Sequence, residues 1–259
     1  MSVNRILVTN DDGIEAEGLR VFVRLLRQYY GKKCDIWVCA PKEHNSAKSH
    51  SITLVNKLKG RRIHWEEDSS VHAYAVDGTP ADCVTAALCG LMPEKPDLLY
   101  SGINQGANAG TDILYSGTIG AAMEGLIRGI PSIAFSLGRK AANHEVVEAY
   151  FRDIMDYLAG STIESYEIWN VNFPQCSLLE LRGILYDRIP DTGSFIQLAA
   201  MTCTAAEDDP DDLTLAIKVK ETGESSPGTD MDALRHRYIS IGKISNMILK
   251  ANVEGHMPI

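Results

Sequence analysis

Two adjacent carboxylates, in Asn10-Asp11-Asp12-Gly13, follow directly on the apolar run Ile6-Leu7-Val8, which reads as a buried strand. Like charges side by side repel, so something must hold them together. In an open α/β sheet, ligands bind in the crevice beyond the carboxyl ends of the strands, and paired aspartates placed there are well sited for a divalent cation. Taken alone, the tetrapeptide reads first as a strand ending in an Asp-Gly turn and second as a metal site. The rest of the chain decides between the two.

Three further segments carry groups able to meet a ligand. Pro41-Lys42-Glu43-His44-Asn45-Ser46 follows a strand at Ile36 to Ala40 and by itself is a polar loop. Ser101-Gly102-Ile103-Asn104-Gln105-Gly106-Ala107-Asn108-Ala109-Gly110 follows a strand at Leu98 to Tyr100. Its glycines permit close backbone approach, and Asn104 and Asn108 supply amides that can meet a cation or a phosphate. Tyr115-Ser116-Gly117-Thr118 opens a helix running from Ile119 to Arg128. Free backbone N–H groups and the positive end of the helix dipole suit a phosphate there, although an ordinary capped helix start reads the same way. Neither GxxxxGK[ST] nor a GxGxxG after a strand occurs, so a nucleotide-cofactor fold is not indicated.

The elements that must position these groups alternate from residue 1 to about 175. Leu19, Phe22, Val23 and Leu26 fall at helical spacing and Gly31 stops that helix. Thr79-Pro80-Ala81-Asp82 caps a helix reaching about Leu91, so Asp82 needs no catalytic role. A strand at Ser132 to Phe135, a helix at Val146 to Leu158 stopped by Gly160, and a strand at Ile168 to Val171 complete the series. This order predicts an α/β fold: a doubly wound, Rossmann-like, mostly parallel sheet with helices on both faces. Beyond about residue 176, alternating segments at Phe195 to Thr204 and Leu213 to Lys220, joined by an acidic turn at Asp208 to Asp212, predict a projecting β-hairpin. No repeat or linker interrupts the chain, which reads as a single domain over 1–259 with an extension from about 176 to 259.

Composition bounds the function classes. With 45% hydrophobic and 23% charged residues the chain can bury a real core, and a formal net charge of -9 argues against a surface that coats nucleic acid or an anionic membrane. No apolar run is long enough to span a bilayer and no signal-peptide pattern opens the sequence, so the expected compartment is the cytoplasm. The six cysteines form no CxxC pair and fit reduced core thiols, and the seven histidines show no HExxH or paired spacing, so zinc is not expected.

Taken together, the four segments resemble the family of the stationary-phase survival protein SurE, divalent-metal-dependent phosphatases acting on nucleoside monophosphates. The resemblance runs through Ile6 to Gly13, Ala40-Pro41 to Ser46, Asp77 to Asp82, Ser101 to Asn104, Tyr115 to Thr118, Ala121 to Gly125, Asn170 to Pro174, and Thr229-Asp230. It implies one divalent ion per subunit, Mg²⁺ or Mn²⁺, held by Asp11, Asp12, Ser46 and Asn104, an all-oxygen set suited to a hard cation. It implies phosphate binding by Asn108, Ser116, Gly117 and Thr118, with Asp11, Asp12 and Asn108 as the catalytic residues. The ion would polarise a phosphate oxygen and make a water more acidic, and Asp12 would orient or deprotonate that water. The implied activity is 5′-nucleotidase, with 3′-nucleotidase activity beside it. The alternatives are a broader phosphomonoesterase or short-chain exopolyphosphatase and, as a different class, a noncatalytic nucleotide-binding protein. A homodimer or homotetramer joined through the C-terminal hairpin is implied as well. One departure stands out: many members read PDRxxSG where this chain has Pro41-Lys42-Glu43-His44-Asn45-Ser46-Ala47. An arginine fork for phosphate is missing there, and Lys48 could replace it only as a point charge.

Overall fold

The chain is described by a computed structural model over residues 3–138, 144–205 and 213–254. In chain order the elements are β1 (Arg5–Thr9), α1 (Glu17–Tyr30), β2 (Asp35–Pro41), β3 (Gly60–Ile63), β4 (His72–Val76), α2 (Pro80–Ala86), β5 (Leu98–Gln105), α3 (Gly117–Ile127) and β6 (Ser132–Leu137). There follow α4 (Glu145–Gly160), β7 (Glu167–Phe173), β8 (Ile184–Arg188), β9 (Ile196–Ala205), β10 (Leu213–Glu221), α5 (Asp230–Arg235), β11 (Ile239–Ser245) and α6 (Met247–Glu254). Nine strands form one mixed sheet in the order β3-β4-β2-β1-β5-β6-β7-β11-β8, and β9 and β10 form a separate antiparallel hairpin. All pairings in the large sheet are parallel except β3–β4 and β7–β11.

Period-two alternation in the buried strands sends successive side chains to opposite layers. Ile6 and Val8 of β1 join Leu19, Phe22 and Leu26 of α1 and Val147, Phe151 and Ile154 of α4 in the largest apolar cluster. Leu7, between them, packs with Cys83 and Val84 of α2 and Ala121 of α3. Each buried leucine or phenylalanine contributes roughly 1.5–3 kcal/mol, so this alternation fixes the register of β1 and hence the position of Asp11 beyond its end.

The predicted caps are present: Gly31 closes α1 at φ 78°, and Thr79 and Asp82 form a capping box on α2. That helix ends at Ala86 and continues to Leu91 as a π-helical turn. Asp82 also takes the N–H and hydroxyl of Thr53, which accounts for its burial without a catalytic role. The predicted Leu98 strand runs on to Gln105, which places Asn104 on a strand and not on a loop. Strands β3, β4, β8 and β11 go beyond the sequence expectation; β11 lies between β7, to which it is antiparallel, and β8, to which it is parallel, so the C-terminal part contributes to the main sheet. The acidic turn from Asp208 to Asp212 lies outside the described residues. Among the described residues, no helix is long and apolar enough to cross a membrane.

Candidate functional site

The aspartates sit where β1 stops, in a loop tied down on both sides. Asn10 folds that loop by donating Nδ2 to the Gly13 carbonyl (2.9 Å) while Oδ1 accepts the Gly13 N–H (3.2 Å). The 41–45 loop clamps it from β2: Ile14 N–H donates to Pro41 O at 2.8 Å, and Asn45 N–H to Asp11 O at 2.7 Å. Gly13 takes φ 106°, a conformation that L side chains rarely adopt. Asp11 is 3% exposed, and its burial beside Asp12 pushes its carboxyl up to about 6. A buried carboxylate next to a second one is a charge distribution that a cation relieves.

Asp12 is held by two other segments. Its Oδ2 accepts the Gln105 N–H at 2.9 Å, and its Oδ1 lies 3.2 Å from Nδ1 of His44. His44 Nε2 in turn meets Ser46 Oγ at 2.6 Å, so the predicted ligand Ser46 reaches the aspartates through an imidazole. The sequence pattern gives His44 no part in the site; its position two residues before Ser46 is the one local signal. Ala47 takes φ 57°, a left-handed conformation that glycine adopts more readily.

Asn104 arrives by a register shift. In β5, Ser101 pairs with Ala134, and the next pairing is Asn104 with Ser136. Ser136 pairs in turn with Asn172 of β7, so Asn104, Ser136 and Asn172 form one row across three strands. Asn104 Nδ2 donates to Gly106 O at 2.7 Å, which fixes the amide plane and leaves Oδ1 as its remaining acceptor.

The predicted phosphate residues converge on Asp11 from the other side. Thr118 Oγ1 donates to Asp11 Oδ1 at 2.7 Å. A Cβ on Gly117 would stand 3.0 Å from Asp11 Cβ and 3.1 Å from Pro80 Cγ, so only glycine lets α3 begin this close. Ser116 caps α3 by accepting the Ile119 N–H at 3.1 Å, while the first-turn N–H groups of Gly117 and Thr118 have no intrahelical acceptor. Lower on α3, buried Glu124 accepts from Thr85 and Arg128 and meets His50 Nε2 at 2.9 Å, which holds its carboxyl down at about 2. Asn108 is buried and gripped by Asn170, Asn172 and Ser136. Its loop is anchored further along where Asp230 of α5 accepts the Gly110 N–H.

Two cavities flank this arrangement. One, of about 310 Å³, touches Asp12, Asn104 and Gln105 and extends to Gly18 and His144; the other, of about 470 Å³, lies past His44 between Lys42, Lys48 and Thr79. Among the described residues, no group of three or more His, Cys, Asp or Glu side chains is arranged to hold an ion. A cation here would therefore need neutral oxygens beside the two carboxylates, and Ser46 and Asn104 have the right chemistry. Such a set fits Mg²⁺ or Mn²⁺ and does not fit a thiolate metal.

The model of the family described as "Survival protein SurE" matches residues 6–192. A protein of Clostridium botulinum (strain 657 / Type Ba4) called "5'-nucleotidase SurE" is 34% identical over 251 residues, covering 96% of this chain and 95% of its own length. A "5'-nucleotidase SurE" of Trichormus variabilis is 42% identical over 185 residues, 71% of this chain and 69% of that one. Among solved structures, the SurE protein from Aquifex aeolicus superposes with a TM-score of 0.72 at 32% identity, covering 97% of this chain and 98% of the other.

Proposed function

Because the chain belongs to the SurE family, we propose that the cleft at Asp11 and Asp12 is the active site of a 5′-nucleotidase. The protein is a hydrolase that converts nucleoside 5′-monophosphate and water to nucleoside and phosphate. The observation that carries the site assignment is the 2.7 Å bond from Thr118 to Asp11, which sets a buried anionic pair against the first turn of α3. A phosphate monoester is the ligand that needs both: a cation on one side and N–H donors on the other.

Asp11, Asp12, Ser46 and Asn104 would hold one divalent ion, Mg²⁺ or Mn²⁺. When bound, the ion supplies charge to polarise a phosphoryl oxygen and acidify water. The chain does the rest. Gly117 and Thr118 N–H groups, the Ser116 hydroxyl and an Asn108 amide N–H bind the phosphoryl oxygens and orient phosphorus for in-line attack. Asp12 orients the attacking water and takes its proton as the new P–O bond forms. The bond to the nucleoside oxygen breaks, and that oxygen is protonated from solvent. Asp12 can act this way because Gln105 N–H and His44 fix its carboxylate. We further infer a dimer or tetramer, supported by the exposed Met201, Leu213, Leu215 and Ile217 on the β9–β10 hairpin, acting in the cytoplasm.

Phosphate release from AMP, GMP and an aryl phosphate, with Mn²⁺ or with chelator, tests the reading. Metal-dependent turnover of the nucleotides is expected. Folded protein that turns over none of them overturns it.

A further inference from the structure

The row Asn104, Ser136 and Asn172 crosses β5, β6 and β7 in register, so these three side chains stand on the same face of the sheet. The first belongs to the proposed cation set. The other two both bond to Asn108, which lies in the loop after β5. Asn172 Oδ1 accepts the Asn108 N–H at 2.8 Å and its Nδ2 donates to the Asn108 carbonyl at 3.1 Å. Asn170, two residues earlier on β7, donates Nδ2 to the same carbonyl at 2.9 Å. Ser136 Oγ accepts from Asn108 Nδ2 at 2.7 Å. All four residues are at most 6% exposed.

This pattern is more than a loop satisfied by its neighbours. A carboxamide that pairs with both backbone groups of one residue fixes that residue's position and rotation together, because the two bonds share a rigid plane. The Ser136 contact then uses one amide hydrogen of Asn108, which determines where the second hydrogen and Oδ1 point. A buried carboxamide left without such partners bears the desolvation cost of its unpaired groups, so the arrangement resists rearrangement.

Resting on the nucleotidase reading above, we propose that Asn172 and Ser136 are positioning residues that aim the Asn108 amide at the transferring phosphoryl group. They act on phosphate binding and on the transition state, and leave the cation set untouched. Misplacing a binding group by about 1 Å can cost about 10²-fold in rate, which sets the expected scale.

The test uses the full chain with Asn172→Asp, Ser136→Ala, Asn108→Ala and the double variant Asn108→Ala/Asn172→Asp. Asn172→Asp keeps an acceptor for the Asn108 N–H and sets an oxygen against the Asn108 carbonyl, with no change in size. Mn²⁺ affinity and binding of inorganic phosphate in the presence of Mn²⁺ are measured by calorimetry, and kcat and KM on AMP by phosphate release. We expect Asn172→Asp to keep Mn²⁺ affinity within about threefold, to weaken phosphate binding at least tenfold and to lower kcat/KM about 10²-fold. Ser136→Ala should do the same to a smaller degree. In the Asn108→Ala background, Asn172→Asp should cost almost nothing further, since the group it aims is gone. Additive losses in the double variant, unchanged phosphate binding in folded Asn172→Asp, or equal loss of Mn²⁺ and phosphate affinity would each overturn the proposal. If Asn172→Asp does not fold, Ser136→Ala, which removes one hydroxyl and changes no charge, decides by the same criteria. An unsubstituted enzyme inactive on AMP would instead count against the nucleotidase reading, with the phosphate-binding comparison still standing on its own.

Discussion

Thr118 on the first turn of α3 donates its hydroxyl to Oδ1 of Asp11 at 2.7 Å, across 107 positions of sequence. The bond joins the two halves of the proposed site, and it bears on how each half responds to substitution.

Asp11→Asn should abolish turnover while making the metal-free protein more stable. Burial beside Asp12 raises the Asp11 carboxyl from 3.8 to about 6, so keeping it ionised at neutral pH costs about 3 kcal/mol. The asparagine still accepts from Thr118. A thermal melt without metal should rise by several degrees, and the stabilisation that Mn²⁺ gives the unsubstituted chain should vanish. A lower melting temperature for the metal-free variant would count against the buried-charge argument.

Gly117→Ala tests the close approach directly. Its Cβ would press on Asp11 Cβ at 3.0 Å, so α3 must move back by a few tenths of an ångström. Activity should fall on the order of 10-fold to 100-fold, with a stability loss of only about 1 kcal/mol by chemical denaturation. Unchanged kcat/KM would show that the helix start does not bind the reacting group.

Ala47→Gly should stabilise the chain. Ala47 holds φ 57°, a left-handed conformation that costs a non-glycine residue about 1 kcal/mol. The gain, read as a denaturation midpoint, should be about 0.5–1 kcal/mol, less what glycine loses in the unfolded chain. A loss of stability on this substitution would contradict it.

Acid stability should depend on Glu124. His50, with Arg128 and Thr85, lowers its carboxyl from 4.5 to about 2. A carboxyl lowered in the folded state contributes stability above its unfolded value, and that contribution fades as pH falls from 4.5 towards 2. Allowing for solvent screening at Arg128, the amount is of the order of 2 kcal/mol. Glu124→Gln should flatten this limb of a stability-versus-pH profile; a profile parallel to that of the unsubstituted chain would refute it.

How much of this was legible beforehand differs from residue to residue. Leu19, Phe22, Val23 and Leu26 announced α1 because one apolar stripe of a helix repeats in the local sequence. Nothing local announces β11, whose place between β7 and β8 is set by long-range pairing. Asp11 and Asp12 stood out because carboxylates at a strand end are chemically conspicuous. His44 did not, since its contacts with Asp12 and Ser46 arise only when the loops after β1 and β2 meet. Asn172 was visible within Asn170-Val171-Asn172-Phe173-Pro174, but its grip on Asn108 depends on sheet register, which neighbouring residues do not encode.

The register shift in β5 makes chain length a ligand of the site. Ser101 and Asn104 are three residues apart, an odd step that in an unbroken strand would point them to opposite layers, yet both align with same-face partners of β6. An unbroken ladder carrying the same residues would turn the Asn104 side chain towards the α1 and α4 layer, where Tyr100 and Ile103 pack. Every side chain of the proposed cation set would then still be written in the sequence, and one of them would face the wrong side of the sheet.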